Sequence, residues 1–226
     1  MPAKYRYKTY APNSYYHLLN RGIEKRSIFQ DKQDYAVFLS YLKLYLTPPQ
    51  IIDKRRLRSH PILQGPSPSF IQPPSRKLNN YYQHITLLAY CLMPNHFHLM
   101  VHQKNKTDIQ SFMRSLLTKY SMYFNKKYNR VGPLFQGRYK AVPIKSEQQF
   151  LYLSKYIHRN PIPILGERPL KSYEYSSYQN YIGIKQQKWV KPKNILSYFS
   201  KIRPNNSYQQ FVEESAIELD KTLTLE

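Results

Sequence analysis

Residues 95–102, with the sequence NHFHLMVH, alternate between two kinds of side chain and predict a β-strand whose two faces differ. One face carries the apolar side chains of Phe97, Leu99 and Val101. The other face carries His96 and His98, because side chains two positions apart on a strand project in the same direction. Both imidazoles can therefore reach one metal ion. The same spacing also occurs on half-exposed strands that bind nothing, so the pair alone leaves a metal site as one of two interpretations.

The segments around this strand predict a sheet. Residues 84–92 form an apolar run, and residues 93–95 (MPN) predict a turn that connects this run to the histidine strand. Two further extended segments are predicted over residues 14–20 and 135–144.

Three helices are predicted between and after these strands. Asp31 is a candidate N-cap for the first helix, and an apolar stripe over residues 109–124 predicts the second. Ser146 with Gln149 predicts the start of the third helix, and Pro161 predicts its end. The resulting order, β-α-β-β-α-β-α, predicts an α+β fold in which a mostly antiparallel sheet is flanked by helices.

The predicted fold divides the chain into a main domain over residues 1–165 and a C-terminal extension over residues 166–226. A proline-rich stretch over residues 47–80 interrupts the main domain, because repeated prolines break helices and strands. We interpret this stretch as a mobile insertion. The extension is predicted to be partly helical, with short helices over residues 194–199 and 208–217.

The charge of the chain favours a polyanionic partner. Its 226 residues include 35 Lys and Arg against 13 Asp and Glu, which gives a formal net charge of +22. Nucleic acid is the first candidate, because basic side chains that neutralise phosphates release counterions and gain affinity. A compositional bias of the coding sequence is an alternative for the 23 tyrosines. It accounts less well for the charge, because Asp and Glu are not correspondingly frequent.

Two other classes of protein are disfavoured by the sequence. The single cysteine, Cys91, excludes an intramolecular disulfide framework and a zinc site built from several cysteines. No apolar run is long enough to span a bilayer, and residues 1–8 lack the apolar core of a signal peptide. The sequence therefore predicts a cytoplasmic, nucleoid-associated protein without a membrane partner.

Basic and aromatic side chains are mixed after the second predicted helix and near the first strand. Cations contact phosphates, and aromatic rings stack on unpaired bases. A run of charges is commonly just a solvated surface, so it is the net charge of the whole chain that favours DNA binding. The candidate DNA contacts are Arg21, Lys126, Lys127, Arg130, Gln136, Arg138 and Lys140.

Tyr156 and Asn160 are four residues apart on the third predicted helix and therefore share a face. The oxygen of an asparagine amide is a suitable ligand for Mg²⁺ or Mn²⁺, and a tyrosine one turn away could attack a phosphate. The spacing does not distinguish Tyr156 from Tyr152, which lies one turn earlier. An asparagine before a proline is also an ordinary way to end a helix.

Four segments together resemble a known family, the REP-associated branch of the single-tyrosine transposases with a histidine-hydrophobic-histidine (HUH) motif. They are residues 20–22 (NRG), 94–99 (PNHFHL), 132–139 (GPLFQGRY) and 156–161 (YIHRNP). Their common order and spacing make the resemblance more specific than any one motif. The resemblance covers about residues 14–161 and, more weakly, residues 173–183. The insertion is longer than the family leads us to expect, and the tail after Tyr181 matches no part of the family.

The resemblance implies a ferredoxin- or RRM-like fold and a role for each matched residue. It implies that His96, His98 and Asn160 hold a divalent metal, Mg²⁺ or Mn²⁺, and that Tyr156 is the nucleophile. It further implies a transposase and endonuclease that nicks and rejoins single-stranded DNA near hairpins, such as REP-like palindromes, through a 5′-phosphotyrosine intermediate. We expect the protein to act as a monomer or homodimer.

Three other functions remain compatible with the sequence. A non-catalytic basic protein with an RRM-like sheet would bind nucleic acid without cleaving it. A hydrolytic metallonuclease would use water and form no covalent adduct. A structural, ribosome-associated basic protein would have no need to place Tyr156 and Asn160 on one face beside a metal.

Overall fold

The computed structural model describes residues 10–49, 79–199 and 207–214. Most of the predicted insertion lies outside the described residues, and so does the end of the last predicted helix, after residue 214.

Four strands form one antiparallel sheet in the order β2-β3-β1-β4. They are β1 (Ser14–Arg21), β2 (Ile85–Met93), β3 (His96–Gln103) and β4 (Lys140–Pro143). The two central strands, β1 and β3, pair so that Leu19 is opposite His98 and Arg21 is opposite His96. The predicted α+β fold is confirmed, and the histidine strand lies in the middle of the sheet.

The last strand is shorter than the extended segment predicted over residues 135–144. Residues 135 and 136 contact the end of β1 instead of extending β4. Phe135 forms an isolated β-bridge with Gly22, and the Gln136 N–H donates to the carbonyl of Arg21. Gly137 then adopts a positive φ of 70°, which turns the chain back into β4. The extended character was predicted, but the turn at Gly137 was not.

The helices begin and end close to the predicted positions. The three long ones are α1 (Lys32–Leu46), α2 (Asp108–Lys127) and α3 (Glu147–Arg159). The short ones among the described residues are α4 (Ile162–Leu165), α5 (Tyr178–Tyr181), α6 (Lys193–Leu196) and α7 (Tyr208–Glu213), with 3-10 turns at Ile23–Lys25 and Leu170–Ser172. Asp31 and Ser146 cap α1 and α3 as predicted, since each side chain accepts a hydrogen bond from the N–H three residues later.

Each face of the sheet has its own core. The apolar face of β3, with Phe97, Leu99 and Val101, packs with α1 and α2. The opposite face packs against α3 and against buried residues of the later segment, namely Tyr178, Tyr181, Ile195, Tyr208 and Val212. The described part of the predicted extension therefore shares a core with the helix that carries Tyr156.

The cap of α1 leads into a cluster of buried charge. The Asp34 side chain is fully buried and accepts hydrogen bonds from the N–H groups of Gln30 and Asp31. The Lys127 ammonium lies 2.6 Å from Asp31 Oδ2 and 2.8 Å from Asp34 Oδ1. Lys127 was predicted to contact DNA, but in the structure both carboxylates already bind its ammonium. Its role in the structure is to tie the end of α2 to the start of α1.

Gly22 is required because the backbone of Arg26 lies too close to leave room for a side chain. Its backbone angle is not the reason, since a φ of −62° suits any residue. A Cβ at this position would lie 2.2 Å from the carbonyl oxygen of Arg26. We therefore expect Gly22→Ala to lower the free energy of unfolding by about 1–3 kcal/mol, the usual effect of overpacking. Urea unfolding measures this change. The exposed Ser27→Ala in the same loop should change the free energy of unfolding by less than about 0.5 kcal/mol, and equal stability of the two variants would contradict the packing argument.

Candidate active site

The site lies on the face of the sheet that α3 covers. His96 and His98 project from β3 toward this helix, which packs against β2 and β3. His98 is fully buried and His96 is partly buried. Tyr156 and Asn160 project back from α3, so a strand and a helix that are distant in sequence share one site.

His96 is oriented by its neighbour Asn95. The Asn95 amide nitrogen donates to the carbonyl of Lys25 at 3.3 Å, which leaves its Oδ1 to face His96 Nδ1 at 2.6 Å. His96 Nδ1 therefore carries the proton and donates it to Asn95. The lone pair is on His96 Nε2, which lies 2.9 Å from Asn160 Oδ1.

In this tautomer of His96, two acceptor atoms face each other across 2.9 Å. Two acceptors this close repel each other in the absence of a shared cation. Adjacent ligands of an octahedral Mg²⁺ ion, with bonds of about 2.1 Å at right angles, are about 3.0 Å apart. The pair of His96 Nε2 and Asn160 Oδ1 therefore has the spacing of two ligands on one such ion.

His98 presents a second nitrogen to the same region. Its Nδ1 lies 2.8 Å from Nε2 of His17, whereas its Nε2 is buried and has no hydrogen-bond partner among the described residues. A buried polar atom without a partner is costly in a native structure and calls for an ion or water. A metal ion shared with His96 would satisfy this requirement.

The electrostatics of the site keep both imidazoles neutral, which is the form that binds metals. Burial lowers the pKa of His96, and the cation of Arg21 lowers it further against the opposing effect of Asn160. Burial holds the pKa of His98 well below its ordinary value, and repulsion from His17 and His96 adds to this effect.

The donor set fits a hard divalent ion rather than a structural zinc. Within residues 10–49, 79–199 and 207–214, no group of three or more His, Cys, Asp or Glu side chains is arranged to hold a metal. The two imidazole nitrogens therefore need an oxygen ligand such as that of Asn160. Water and phosphate oxygens would complete the coordination of Mg²⁺ or Mn²⁺.

The structure separates the two candidate tyrosines. The half-buried ring of Tyr156 lies edge-on to His98, with 5.4 Å between ring centroids and an angle of 85°. Tyr152 instead packs against Phe211 of α7, at 5.7 Å. Although the two tyrosines are only one helical turn apart, Tyr152 contacts the C-terminal segment, whereas Tyr156 lies beside the histidine pair.

His17, the partner of His98, was not predicted from the sequence as a site residue. A single histidine in the short strand 14–20 gives no local signal, because its role depends on the pairing of β1 with β3. The register puts His17 opposite Met100, so its ring reaches diagonally to His98 on the same face. The two rings stack with centroids 5.0 Å apart at an angle of 22°.

His158, inside the YIHRNP segment, is also accounted for by the structure. It is fully buried; its Nδ1 lies 2.7 Å from the hydroxyl of Tyr208, and its Nε2 lies 2.7 Å from the hydroxyl of Ser177. Burial lowers the pKa of His158 to about 3. The neutral ring anchors the end of α3, between Tyr156 and Asn160, to the C-terminal segment.

Two of the candidate DNA contacts border the site. Arg21 is opposite His96 in the sheet, and its Nε donates to Gln136 Oε1 at 2.5 Å. Gln136 is exposed on the segment that joins α2 to β4. The side chains of Arg21 and Gln136 therefore form a polar rim next to His96.

The other candidates are spread along β4 and α2. Arg138 is exposed and lines a groove of about 900 Å³ along α2, where it is joined by Arg114, which sequence analysis overlooked. Lys140 begins β4, beside β1. Lys126 is exposed at the end of α2, and the guanidinium of Arg130 lies over the ring of Phe124 at 5.8 Å.

Residues 75–160 match the sequence model of the family described as IS200-like transposases. This stretch, less than half of the chain, is similar in sequence to the IS200-like transposases. It contains both histidines, Tyr156 and Asn160, so the resemblance noted from the motifs is confirmed at the level of this transposase family.

A solved structure described as a REP-associated tyrosine transposase bound to a REP hairpin has the same fold. It matches with a TM-score of 0.51 and 12% sequence identity, over 84% of this chain and 97% of that chain. At this identity the match concerns the fold alone. No curated protein matches the chain in sequence. Among the described residues, none of the helices has the length and apolar character needed to cross a bilayer.

Proposed function

We propose that this chain, which is similar to the IS200-like transposases over residues 75–160, is a metal-dependent DNA strand-transfer enzyme with Tyr156 as its nucleophile. One observation carries the proposal: Tyr156 lies edge-on to His98, whose buried Nε2 lacks a hydrogen-bond partner among the described residues. The facing atoms of His96 and Asn160 complete a ligand set on the same face. The side chains therefore combine a nucleophile with a place for a divalent cation.

In this proposal His96, His98 and Asn160 hold the ion. When bound, a divalent ion withdraws charge from the non-bridging oxygens of the scissile phosphate and orients that phosphate. The protein keeps both imidazoles neutral by burial, and Asn95 and His17 fix their orientation.

The reaction is an exchange of phosphate esters. The Tyr156 oxygen forms a bond to phosphorus as the bond from phosphorus to the 3′ oxygen breaks. The phenol loses its proton, and the departing 3′ oxygen gains one. The product is a 5′-phosphotyrosine and a free 3′ hydroxyl. Attack of a 3′ hydroxyl on the phosphotyrosine reverses these changes and rejoins a strand, so no nucleotide cofactor is consumed.

Single-stranded DNA next to a hairpin is the substrate that we propose. The formal net charge of +22 favours a polyanion, and the solved structure with the same fold is described as bound to a REP hairpin. The proposed contacts nearest the site are Arg21 and Gln136, with Arg138 and Lys140 beyond them. Lys126 and Arg130 extend the surface along α2. We propose a cytoplasmic protein that acts as a monomer or homodimer.

The experiment is an adduct assay with a hairpin-bearing single-stranded oligonucleotide labelled 3′ of the cleavage site. With Mn²⁺ or Mg²⁺ we expect a labelled, SDS-resistant protein–DNA adduct. EDTA should abolish it, because the site then lacks the charge that offsets the attacked phosphate, and excess Mn²⁺ should restore it.

Two outcomes would contradict the proposal. Cleavage that releases both fragments without any adduct indicates a hydrolytic nuclease. Metal-independent binding without cleavage of any hairpin substrate indicates a non-catalytic nucleic-acid-binding protein.

A further inference from the structure

The pair formed by His17 and His98 is buried away from solvent. Both residues have 0% exposure, and His17 Nε2 lies 2.8 Å from His98 Nδ1. Since both rings are buried, the hydrogen bond between them decides which nitrogen of His98 carries a proton.

Only one of the two arrangements suits the site. If His17 donated to His98 Nδ1, the proton of neutral His98 would be on Nε2, and that nitrogen could not bind a metal. If His98 donates from Nδ1, its lone pair is on Nε2. That nitrogen is one of several buried polar atoms for which the described residues supply no hydrogen-bond partner. The second arrangement uses His17 as a hydrogen-bond acceptor.

We propose that His17 is a positioning residue for metal binding: its Nε2 accepts the Nδ1 proton of His98 and so keeps His98 Nε2 unprotonated and aimed at the metal. This inference rests on the proposed function, since it takes His98 as a metal ligand. Partners of this kind fix the tautomer and ring orientation of a ligating histidine, and their loss costs roughly 10- to 100-fold in metal affinity.

The two ligating histidines are then held in complementary ways. His96 donates its Nδ1 proton to the Asn95 amide oxygen, and His98 donates its Nδ1 proton to His17. His96 Nε2 then faces Asn160 at the end of α3, and His98 Nε2 is left unprotonated for the metal. The near-parallel stacking of His17 on His98, at 22°, also restricts rotation of the His98 ring.

The experiment compares two substitutions at His17. His17→Leu keeps a side chain of similar bulk but removes the acceptor, whereas His17→Gln keeps an acceptor near the position of Nε2. His102→Leu is the matched control, because His102 projects from β3 on the same face but packs against Tyr15 instead of the site. Thermal melting confirms that each variant is folded.

The first measurement is Mn²⁺ affinity, by electron paramagnetic resonance of the free ion. We expect His17→Leu to weaken Mn²⁺ binding roughly 10- to 100-fold and His17→Gln to restore it to within about three-fold of wild type. His102→Leu should bind Mn²⁺ like wild type. Affinity of His17→Leu within about three-fold of wild type, or failure of the wild-type protein to bind Mn²⁺, would overturn the proposal.

The second measurement needs neither metal nor DNA. Long-range ¹⁵N–¹H correlation spectra of the seven histidines distinguish the two neutral tautomers. Metal-free wild type should show His98 protonated on Nδ1, and His17→Leu should show loss of this single tautomer. An unchanged His98 tautomer in His17→Leu overturns the role of His17 even if the adduct assay succeeds. If the spectra show the expected tautomers but no protein–DNA adduct forms, the proposed function is contradicted and the role of His17 is not.

Discussion

Tyr156→Phe should abolish the covalent protein–DNA adduct and lower strand cleavage by about 10³-fold or more, as expected when the nucleophile of a covalent mechanism is removed. The substitution deletes one oxygen and keeps the ring that packs edge-on against His98. Metal affinity and stability should therefore change little. The measurement is the rate of adduct formation on a hairpin-bearing single strand, with Mn²⁺ affinity as a check on the site.

Tyr152→Phe is the control. It removes the same oxygen one helical turn away, from a ring that contacts Phe211 rather than His98. Adduct formation in this variant should stay within about two-fold of wild type. If Tyr152→Phe lost the adduct and Tyr156→Phe kept it, the nucleophile would be assigned to the wrong residue. Loss in both variants would point to two cooperating tyrosines.

The parts of the fold that sequence predicted are those set by local patterns. The alternation in residues 95–102 separates Phe97 from His98, and each lies on the predicted face. Asp31 and Ser146 cap their helices because a short polar side chain before a helix satisfies a free N–H group. Such signals act over a few residues, so they can be read from one sequence.

The parts that sequence missed depend on contacts between distant segments. His17 contacts His98 only because β1 pairs with β3 in one register, and a shift of one residue would turn it to the other face. Arg114 lies near Arg138 only once the segment after α2 folds back along that helix. Spacing alone did not distinguish Tyr156 from Tyr152, and only the family resemblance favoured Tyr156; the contact of Tyr152 with Phe211 depends on the position of α7.

Lys127 was predicted to contact DNA, but in the structure it forms ion pairs with Asp31 and Asp34. Within a basic run after an amphipathic helix, a lysine is more often solvated than buried, and its neighbour Lys126 is indeed exposed. The partners of Lys127 are Asp31 and Asp34, more than ninety residues earlier, and they raise its pKa against the opposing effect of burial. Nothing in the local sequence distinguishes the two lysines.

Lys127→Met should lower the free energy of unfolding by about 3 kcal/mol, the lower end of the cost of leaving a buried charge without its partner. The carboxylate of Asp34 has 0% side-chain exposure and Lys127 only 20%, so water can replace little of the lost interaction. The N–H groups at the start of α1 and the hydroxyls of Tyr123 and Tyr128 remain bonded to Asp34, which keeps the loss from being larger. Urea unfolding at neutral pH measures the change.

The pH dependence of the free energy of unfolding is an independent test of the ion pair. Burial raises the pKa of Asp31, but its bonds with Lys127 lower it more, so the net value lies below the ordinary 3.8. A carboxyl with a lowered pKa stabilises the fold above its unfolded-state pKa and loses that contribution as the pH falls through the folded-state pKa. The stability difference between wild type and Lys127→Met should therefore be largest above about pH 5 and shrink below about pH 4.

The matched control is Lys32→Met, which removes an exposed lysine beside the same Asp31. It should change the free energy of unfolding by less than about 0.5 kcal/mol, because surface substitutions without buried partners have small effects. In the double variant Lys127→Met with Asp34→Asn, the buried carboxylate is also removed, so the loss should be smaller than the sum of the two single losses. Strict additivity, or a Lys127→Met variant as stable as Lys32→Met, would mean that the ion pair does not hold α1 and α2 together, and Lys127 would return to the candidate DNA surface.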